Sequence, residues 1–444
     1  FTPNLIGGIV LGYIWQFIFS RVLVDLNSIL NLPIFAKSWL SSPQGAFAAM
    51  VIVTTWQYSG YMLLIYISGF VSVPQDLIEA AKIDGGTSGQ ITRHITMPMM
   101  VPAFVTCIFL SLTRCFKVYD LNLALTAGGP YDSTKMAAMH IYTQAFENHL
   151  YGIGQAEALV LFLVMGIIAF IQISVGKSKE VEAKEVKSVQ VGGTKKLVMD
   201  VVKTIFVVFM FLFYMMPFIL VIINSLKRKV NIVKNPLMLI DDKGAQLVNY
   251  VKAFTEMDFG AAFFNSILIT GVSVFLILLC SSMAAYLFVR TNWLACRIFF
   301  ALIVAYMVVP FQVIMIPLVS IYGNIFGILN SRATLIFMNL GFGTGMAIFM
   351  CHGFIKTNVP MALEEAAKID GCTRLQIFFK IVLPLMKPIL STITILNTLG
   401  LWNDYLLPNL VLGKKALYTL PLAIRTFYGT FSNDLGKIMA ALVM

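Results

Sequence analysis

Charge is what this sequence is short of. Only 12% of its 444 residues are Asp, Glu, Lys or Arg, where an ordinary soluble domain carries roughly a quarter. A chain so poor in ionic groups cannot cover a water-exposed surface. Catalytic and metal-binding patterns are missing too. The four histidines (His94, His140, His149 and His352) show no HExxH or paired-ligand spacing, so they are expected at surfaces or interfaces and not around a metal. Six cysteines (Cys107, Cys115, Cys280, Cys296, Cys351 and Cys372) include no CxxC and read as small hydrophobes. Gly176-Lys177-Ser178 follows Ile171, where a phosphate loop requires glycine, so the chain is not expected to bind ATP itself. Gly341, Gly343 and Gly345 are preceded by no strand pattern, which favours close helix packing over dinucleotide binding. No catalytic constellation is present; neither an enzyme nor a resident cofactor is expected.

What the chain has is apolar length. Hydrophobic residues make up 59% of it, with a mean hydropathy of +0.85, and such a chain belongs in a bilayer. The net charge of +11 comes with no basic stripe interleaved with aromatics, which argues against nucleic acid. Cytoplasmic loops of membrane proteins collect Lys and Arg instead. Crossing the apolar core takes roughly 20 residues. Stretches of that kind fall near 3–23, 45–72, 99–121 and 154–175, then near 200–223, 262–289, 297–320, 333–355 and 387–410, with a stub from about 435. An all-α polytopic bundle of about nine spans plus a stub is expected. Phe1 lies inside an apolar run without a signal-peptide n-region, and Met444 closes midway through the run from Ile438. Both ends therefore read as cut, with helices missing at each.

Between the two sets of spans, Gly176 to Asp200 carries six lysines, four acids and no aromatic, the composition of a solvated linker. The expected division is a first unit at 1–175, a cytoplasmic linker at 176–199 and a second unit at 200–444. With the linker in the cytoplasm, alternation puts 73–98, 290–297 and 356–386 there as well. The last of these carries Lys356, Lys368, Arg374 and Lys380, with Lys387 at its border, in keeping with the positive-inside rule. The outer loop 225–261 runs against it, with Lys227, Arg228 and Lys229.

One internal repeat organises the reading. VPQDLIEAAKIDGGTSGQITRHITMPMMVP at 73–102 returns as VPMALEEAAKIDGCTRLQIFFKIVLPLMKP at 359–388, every shared residue displaced by 286 positions. Pro74 and Pro360 suit the first turn of a helix. Gly85 and Gly371 supply a left-handed stop, and Thr87 and Thr373 can cap a second short helix. Pro98 and Pro384 mark entry into the next span. A bent pair of short helices at the cytoplasmic surface is expected. Ala80-Ala81 and Ala366-Ala367 would leave a shallow face for another protein, with Glu79, Asp84, Glu365 and Asp370 offering charge at its rim. A single copy is what any amphipathic loop gives; two copies at one spacing and one topological place need another explanation.

The pattern EAA, three residues, glycine, then a proline resembles the EAA loop of permease subunits in ATP-binding cassette importers. It is matched at Glu79, Ala80, Ala81, Asp84, Gly85 and Pro98 and again at Glu365, Ala366, Ala367, Asp370, Gly371 and Pro384. The resemblance implies that each loop is a coupling helix docked on one of two ATPase subunits. Flanking stretches (126–159, 263–290, 401–412 and 419–442) resemble maltose-type sugar permeases, the first half like the larger subunit and the second like the smaller. This implies a multi-pass inner-membrane component in lipid that receives a sugar from an extracytoplasmic binding protein by alternating access. Carried over from that family, the sugar-contact positions are Gln57, Tyr58, Tyr61, Ser111, Cys115 and Val118; only Tyr61 and Ser111 keep the family's chemistry there, and interhelical packing competes as their role. Asn403 and Asp404 are open between contact with the binding protein and helix capping. Two rivals remain: an importer of another small polar solute such as glycerol phosphate, and a secondary transporter. The second lacks intramembrane carboxylate pairs and has its two loops on the same side.

Overall fold

The structure, a computed structural model, describes residues 2–71, 73–177, 194–239, 241–242, 244–307, 309–428 and 435–444. Most of the expected linker, 178–193, lies outside the described residues. Among them every regular element is helical. The principal helices begin with α1 (Gly8–Leu30), α2 (Pro43–Val71), α3 (Gln75–Ile83), α4 (Ser88–Ile91) and α5 (Val101–Lys117). They continue through α6 (Tyr151–Lys177), α7 (Thr194–Ser225), α8 (Phe259–Arg290), α9 (Leu294–Tyr306) and α10 (Phe311–Val319). The last are α11 (Arg332–Asn358), α12 (Met361–Ile369), α13 (Arg374–Ile377), α14 (Lys387–Asn403) and α15 (Leu435–Val443).

Six helices among the described residues are long and apolar enough to cross a bilayer, or up to nine if each of three bent pairs is one span. These nine fall on the apolar stretches read from sequence, with α15 as the stub. On α7, Val202, Ile205, Phe206, Val207, Phe209 and Phe211 are all exposed. Such an outward apolar surface in a helix this long is suited to lipid and not to water.

Packing divides the chain into two compact units that interleave along the sequence. The first comprises Phe1–Thr143, Leu163–Tyr250 and Asp434–Met444, the second Gln144–Phe162 and Val251–Asn433. In the first, α1 packs against the short helix Asp120–Leu125. Gly12 permits that approach, because a Cβ there would meet the Ala124 side chain. Its core centres on Trp15, Phe19 and Trp56, with the Trp15 and Trp56 rings 5.2 Å apart and Tyr214 stacked on Trp56 at 5.9 Å. Aromatic pairs at such separations add to the gain from burial.

The basic run that opposes the positive-inside rule is used inside its own loop. Lys227 is buried, and its ammonium donates to Asn224 Oδ1, Asn235 O and Pro236 O at 3.0–3.2 Å. Burial pushes its pKa down to about 8, with the charges of Asp241 and Asp25 pulling the other way. Arg228 pairs with Asp241 at 2.8 Å. These two cations hold a loop together, which lessens their weight as a topology signal.

In the second unit α8 lies along α11 and α14. Gly343 admits Ile277 of α8, and Gly345 the ring of Tyr306, while the Gly341 carbonyl accepts the Tyr306 hydroxyl at 3.2 Å. Gly343 and Gly345 are therefore sites of close packing, while a Cβ at Gly341 would meet nothing within 4 Å. The core runs from Ile277 and Ala285 through Cys351 and Ile355 to Ile377, Phe378, Val382 and Met386. All six cysteines are free thiols; Cys107, Cys296 and Cys351 are buried and Cys115 and Cys280 exposed.

Candidate functional site

Each repeat folds into an elbow, and the two elbows correspond turn for turn. α3 and α12 each span nine residues. Pro74 and Pro360 occupy the N-cap, one residue ahead of the expected first turn, with extended ψ angles of 126° and 133°. Pro at that position still removes a donor the helix start leaves unpaired.

Both helices end in a full Schellman motif. In α3 the Gly86 N–H reaches Ala81 O at 2.9 Å and the Gly85 N–H reaches Lys82 O at 3.1 Å. In α12 the matching bonds are Cys372 N–H to Ala367 O at 3.0 Å and Gly371 N–H to Lys368 O at 3.1 Å. The pattern needs a left-handed residue just past the cap. Gly85 and Gly371 supply it at φ +78° and +84°, as the sequence expectation required.

A capping box starts the second arm. The Thr87 N–H donates to Gln90 Oε1 at 2.9 Å, and the Thr373 N–H to Gln376 Oε1 at 2.8 Å. At Thr373 the Gln376 N–H donates back to the hydroxyl at 3.3 Å. A wide turn follows in each (Thr92–Thr96 and Phe378–Val382), then a three-residue turn carrying Pro98 or Pro384. Pro98 and Pro384 thus lie just ahead of the span proper, which begins at Val101 and Lys387. The arms bend by 61° into α5 and by 74° into α14. Prolines four apart, at 98 and 102 and at 384 and 388, remove two amide donors and account for the bends. Met100 and Met386 sit buried at the two vertices.

The outward face is also repeated. Glu79, Ala80, Asp84 and Gly85 are exposed, and so are Glu365, Ala366, Asp370 and Gly371. Ala81 is half-buried and Ala367 buried. At the tips Ile83 is 86% exposed and Ile369 87%. Among the described residues no isoleucine is more exposed than these two.

Behind the second elbow stands a feature the repeat does not contain. Glu364 of α12 is buried, accepting from Tyr286 Oη at 2.7 Å and Arg290 Nε at 2.8 Å. Arg290 Nη2 lies 2.7 Å from the same carboxylate and donates to Val359 O at 2.8 Å. The equivalent of Glu364 in the first repeat is Ile78. Comparing the repeats by what they share passes over this cluster. The available signals were a second acid beside Glu365 and a lone arginine closing the apolar run of α8.

The six expected solute positions lie on α2 and at α5, in differing surroundings. Tyr58 and Tyr61 of α2 converge on Arg114 of α5, whose guanidinium lies 4.3 and 5.5 Å from their ring centres and donates to Asn4 Oδ1 at 3.4 Å. Ser111 and Cys115 are exposed one turn apart on α5, and Arg114 lies one turn from Ser111. Gln57 is turned inward, its amide donating to Ile6 O at 3.3 Å, and Val118 packs on the first unit's core. Arg114, three residues after Ser111 in the sequence, is the centre of the cluster. At the end of α14, the Asn403 amide bonds Leu399 O at 3.0 Å, and Asp404 accepts from the backbone of Leu406 and Leu407, which is the capping arrangement.

Comparison with known proteins agrees with this architecture. The model of the binding-protein-dependent transport system inner membrane component family matches residues 2–176 and again 277–444. A starch degradation products transport system permease protein, AmyD of Thermoanaerobacterium thermosulfurigenes, is 42% identical over 41% of this chain and 62% of its own length. AmyC of the same organism is 37% identical over 52% of the chain and 83% of itself. The melibiose/raffinose/stachyose import permease protein MelC of Bacillus subtilis is 33% identical over 52% of the chain and 82% of itself. The chain thus spans less than two thirds of the first of these relatives. A bacterial ABC transporter that imports the acidic polysaccharide alginate shares the fold, with a TM-score of 0.50 at 19% identity over 57% of this chain and 93% of its own. With its apolar helices and twofold match, the chain is a membrane protein belonging to the family of binding-protein-dependent transport system inner membrane components.

Proposed function

We propose that this chain is the membrane-spanning permease of an ATP-driven importer, moving a sugar or oligosaccharide handed over by an extracytoplasmic binding protein. Each elbow seats one of two ATPase subunits, through Glu79, Ala80, Ala81, Asp84 and Gly85 in the first and Glu365, Ala366, Ala367, Asp370 and Gly371 in the second. The elbows belong to two permease units, 1–175 and 200–444, joined by a cytoplasmic linker at 176–199. One observation carries the reading: two surfaces 286 positions apart expose the same side chains on the same backbone, down to a bare isoleucine at each tip. Such duplication suits a partner that binds twice.

Closure of the ATPases on ATP draws the elbows together. Because each elbow continues through a proline bend into a span, its displacement tilts that span and opens the pathway outward; hydrolysis restores the inward state. The sugar assignment is supported by the names of the relatives and by Tyr58 and Tyr61, whose faces and hydroxyls suit a sugar ring. Arg114 between those tyrosines favours a second reading, a small solute with an anionic group such as glycerol phosphate.

The test is reconstitution in liposomes with candidate ABC ATPases, a binding protein and malto-oligosaccharide. Ile83→Asp with Ile369→Asp is expected to abolish both ATPase capture and sugar-stimulated hydrolysis. Full coupling in that double variant would falsify the docking role. Glycerol phosphate uptake in place of sugar uptake selects the second reading.

A further inference from the structure

We propose that Glu364 is a positioning residue that locks the second elbow to the Arg290 end of α8, a lock the first elbow does not have. The inference rests on the import reading above, because it says how the second elbow passes on its motion.

The geometry is closed on every side. Both carboxylate oxygens of Glu364 are used, one by the Tyr286 hydroxyl and the other by the Arg290 guanidinium. Arg290 also holds Val359 O, the carbonyl just beyond α11. One guanidinium therefore ties together the end of α8, the end of α11 and the start of α12. The ring of Tyr286 lies 5.4 Å from Phe378, which is buried in the turn after α13. The end of α8 thus grips both arms of the elbow, one through charge and one through an aromatic face.

A buried ion pair is weak evidence for net stability, since removing two charges from water offsets most of their attraction. Its firmer effect is to define a geometry: a planar guanidinium accepts a carboxylate in few orientations. In the first repeat Ile78 takes the place of Glu364, α3 buries none of its residues, and Thr92 is exposed where Phe378 is buried. An apolar contact of this kind fixes no orientation. A push on α12 is therefore carried into α8 and α11 as one body.

Two measurements on the full chain in liposomes test this. With spin labels at Leu287 and Lys368, the permease alone is expected to give a narrow distance distribution. Glu364→Gln should broaden it, and the exchange Glu364→Arg with Arg290→Glu should narrow it again. With ATPases and binding protein added, Glu364→Gln should lower sugar moved per ATP by about tenfold while the ATPases stay bound, and the exchange should recover most of it. A distribution equally narrow in Glu364→Gln overturns the lock, whatever the import assay gives. Unchanged sugar per ATP in that variant overturns its role in coupling. If the unaltered chain shows no sugar-stimulated hydrolysis, the import reading falls, and the coupling role with it, while the distance measurement still decides the lock.

Discussion

From Pro74 to Pro102 and from Pro360 to Pro388 the chain turns the same way, yet among the described residues the second run is the more deeply buried. Ile377, Phe378, Val382 and Met386 belong to the apolar cluster of the second unit, whereas between 73 and 102 burial is confined to Val73, Ile91 and Met100. The repeated residues set the bends and the exposed face. The unrepeated ones, Glu364 and Phe378 against Ile78 and Thr92, decide how firmly the bend is held. An outward surface and an inward anchor can therefore be varied separately on one backbone.

The sharpest way to break this contrast is Glu364→Ala. It leaves the half-buried Arg290 with Val359 O but without its carboxylate partner and should cost up to about 3–5 kcal/mol, read by thermal unfolding of the purified chain in detergent. Ile78→Ala should cost less than about 2 kcal/mol, because the side chain is half-buried and deleting a fully buried one costs about 2–5 kcal/mol. Equal losses would erase the difference between the elbows. Next come Gly85→Val and Gly371→Val, each expected to cost about 1–3 kcal/mol through the left-handed backbone alone. A Cβ at either place meets nothing within 4 Å, so amide exchange across the two motifs should accelerate equally. Unequal changes would show that surroundings, and not backbone, dominate there.

A finer distinction lies in the caps. Thr373→Ala should loosen α13 by about 1 kcal/mol, seen as faster exchange of the Gln376 amide. Thr87→Ala should do less to Gln90, since the Thr87 hydroxyl donates to the Gln90 side chain at 2.8 Å. The smallest stability effect belongs to Ile83→Ala and Ile369→Ala, within about 0.5 kcal/mol for such exposed residues. Their effect should appear instead as weaker ATPase association in pull-down from detergent. A stability loss above that limit would mean that the isoleucines support the elbow itself.

The helical, membrane-crossing fold was legible because it rests on apolar length, a property local to each stretch, and the six long helices and three bent pairs among the described residues fall where the hydropathy puts them. The elbows were legible for a related reason. Gly85, Gly371, Thr87 and Thr373 impose local backbone geometry, and repetition separates that signal from chance. The cluster of Glu364, Arg290, Tyr286 and Val359 was not legible, because it joins residues up to 78 positions apart and nothing in Glu364 itself announces an inward orientation. The surroundings of the expected solute positions were hidden for a similar reason. Tyr58 and Tyr61 meet Arg114, but the inward turn of Gln57 depends on Ile6, 51 residues away, and periodicity along α2 does not report it.

The buried ammonium in the loop after α7 has a consequence for handling the protein. Lys227 titrates near 8 when folded and near 10.5 in its ordinary state, so between those values the unfolded chain binds the extra proton. Unfolding then becomes harder as the solution turns alkaline. The contribution of this group to stability is therefore absent below about pH 8 and builds up as the pH rises from there toward 10.5.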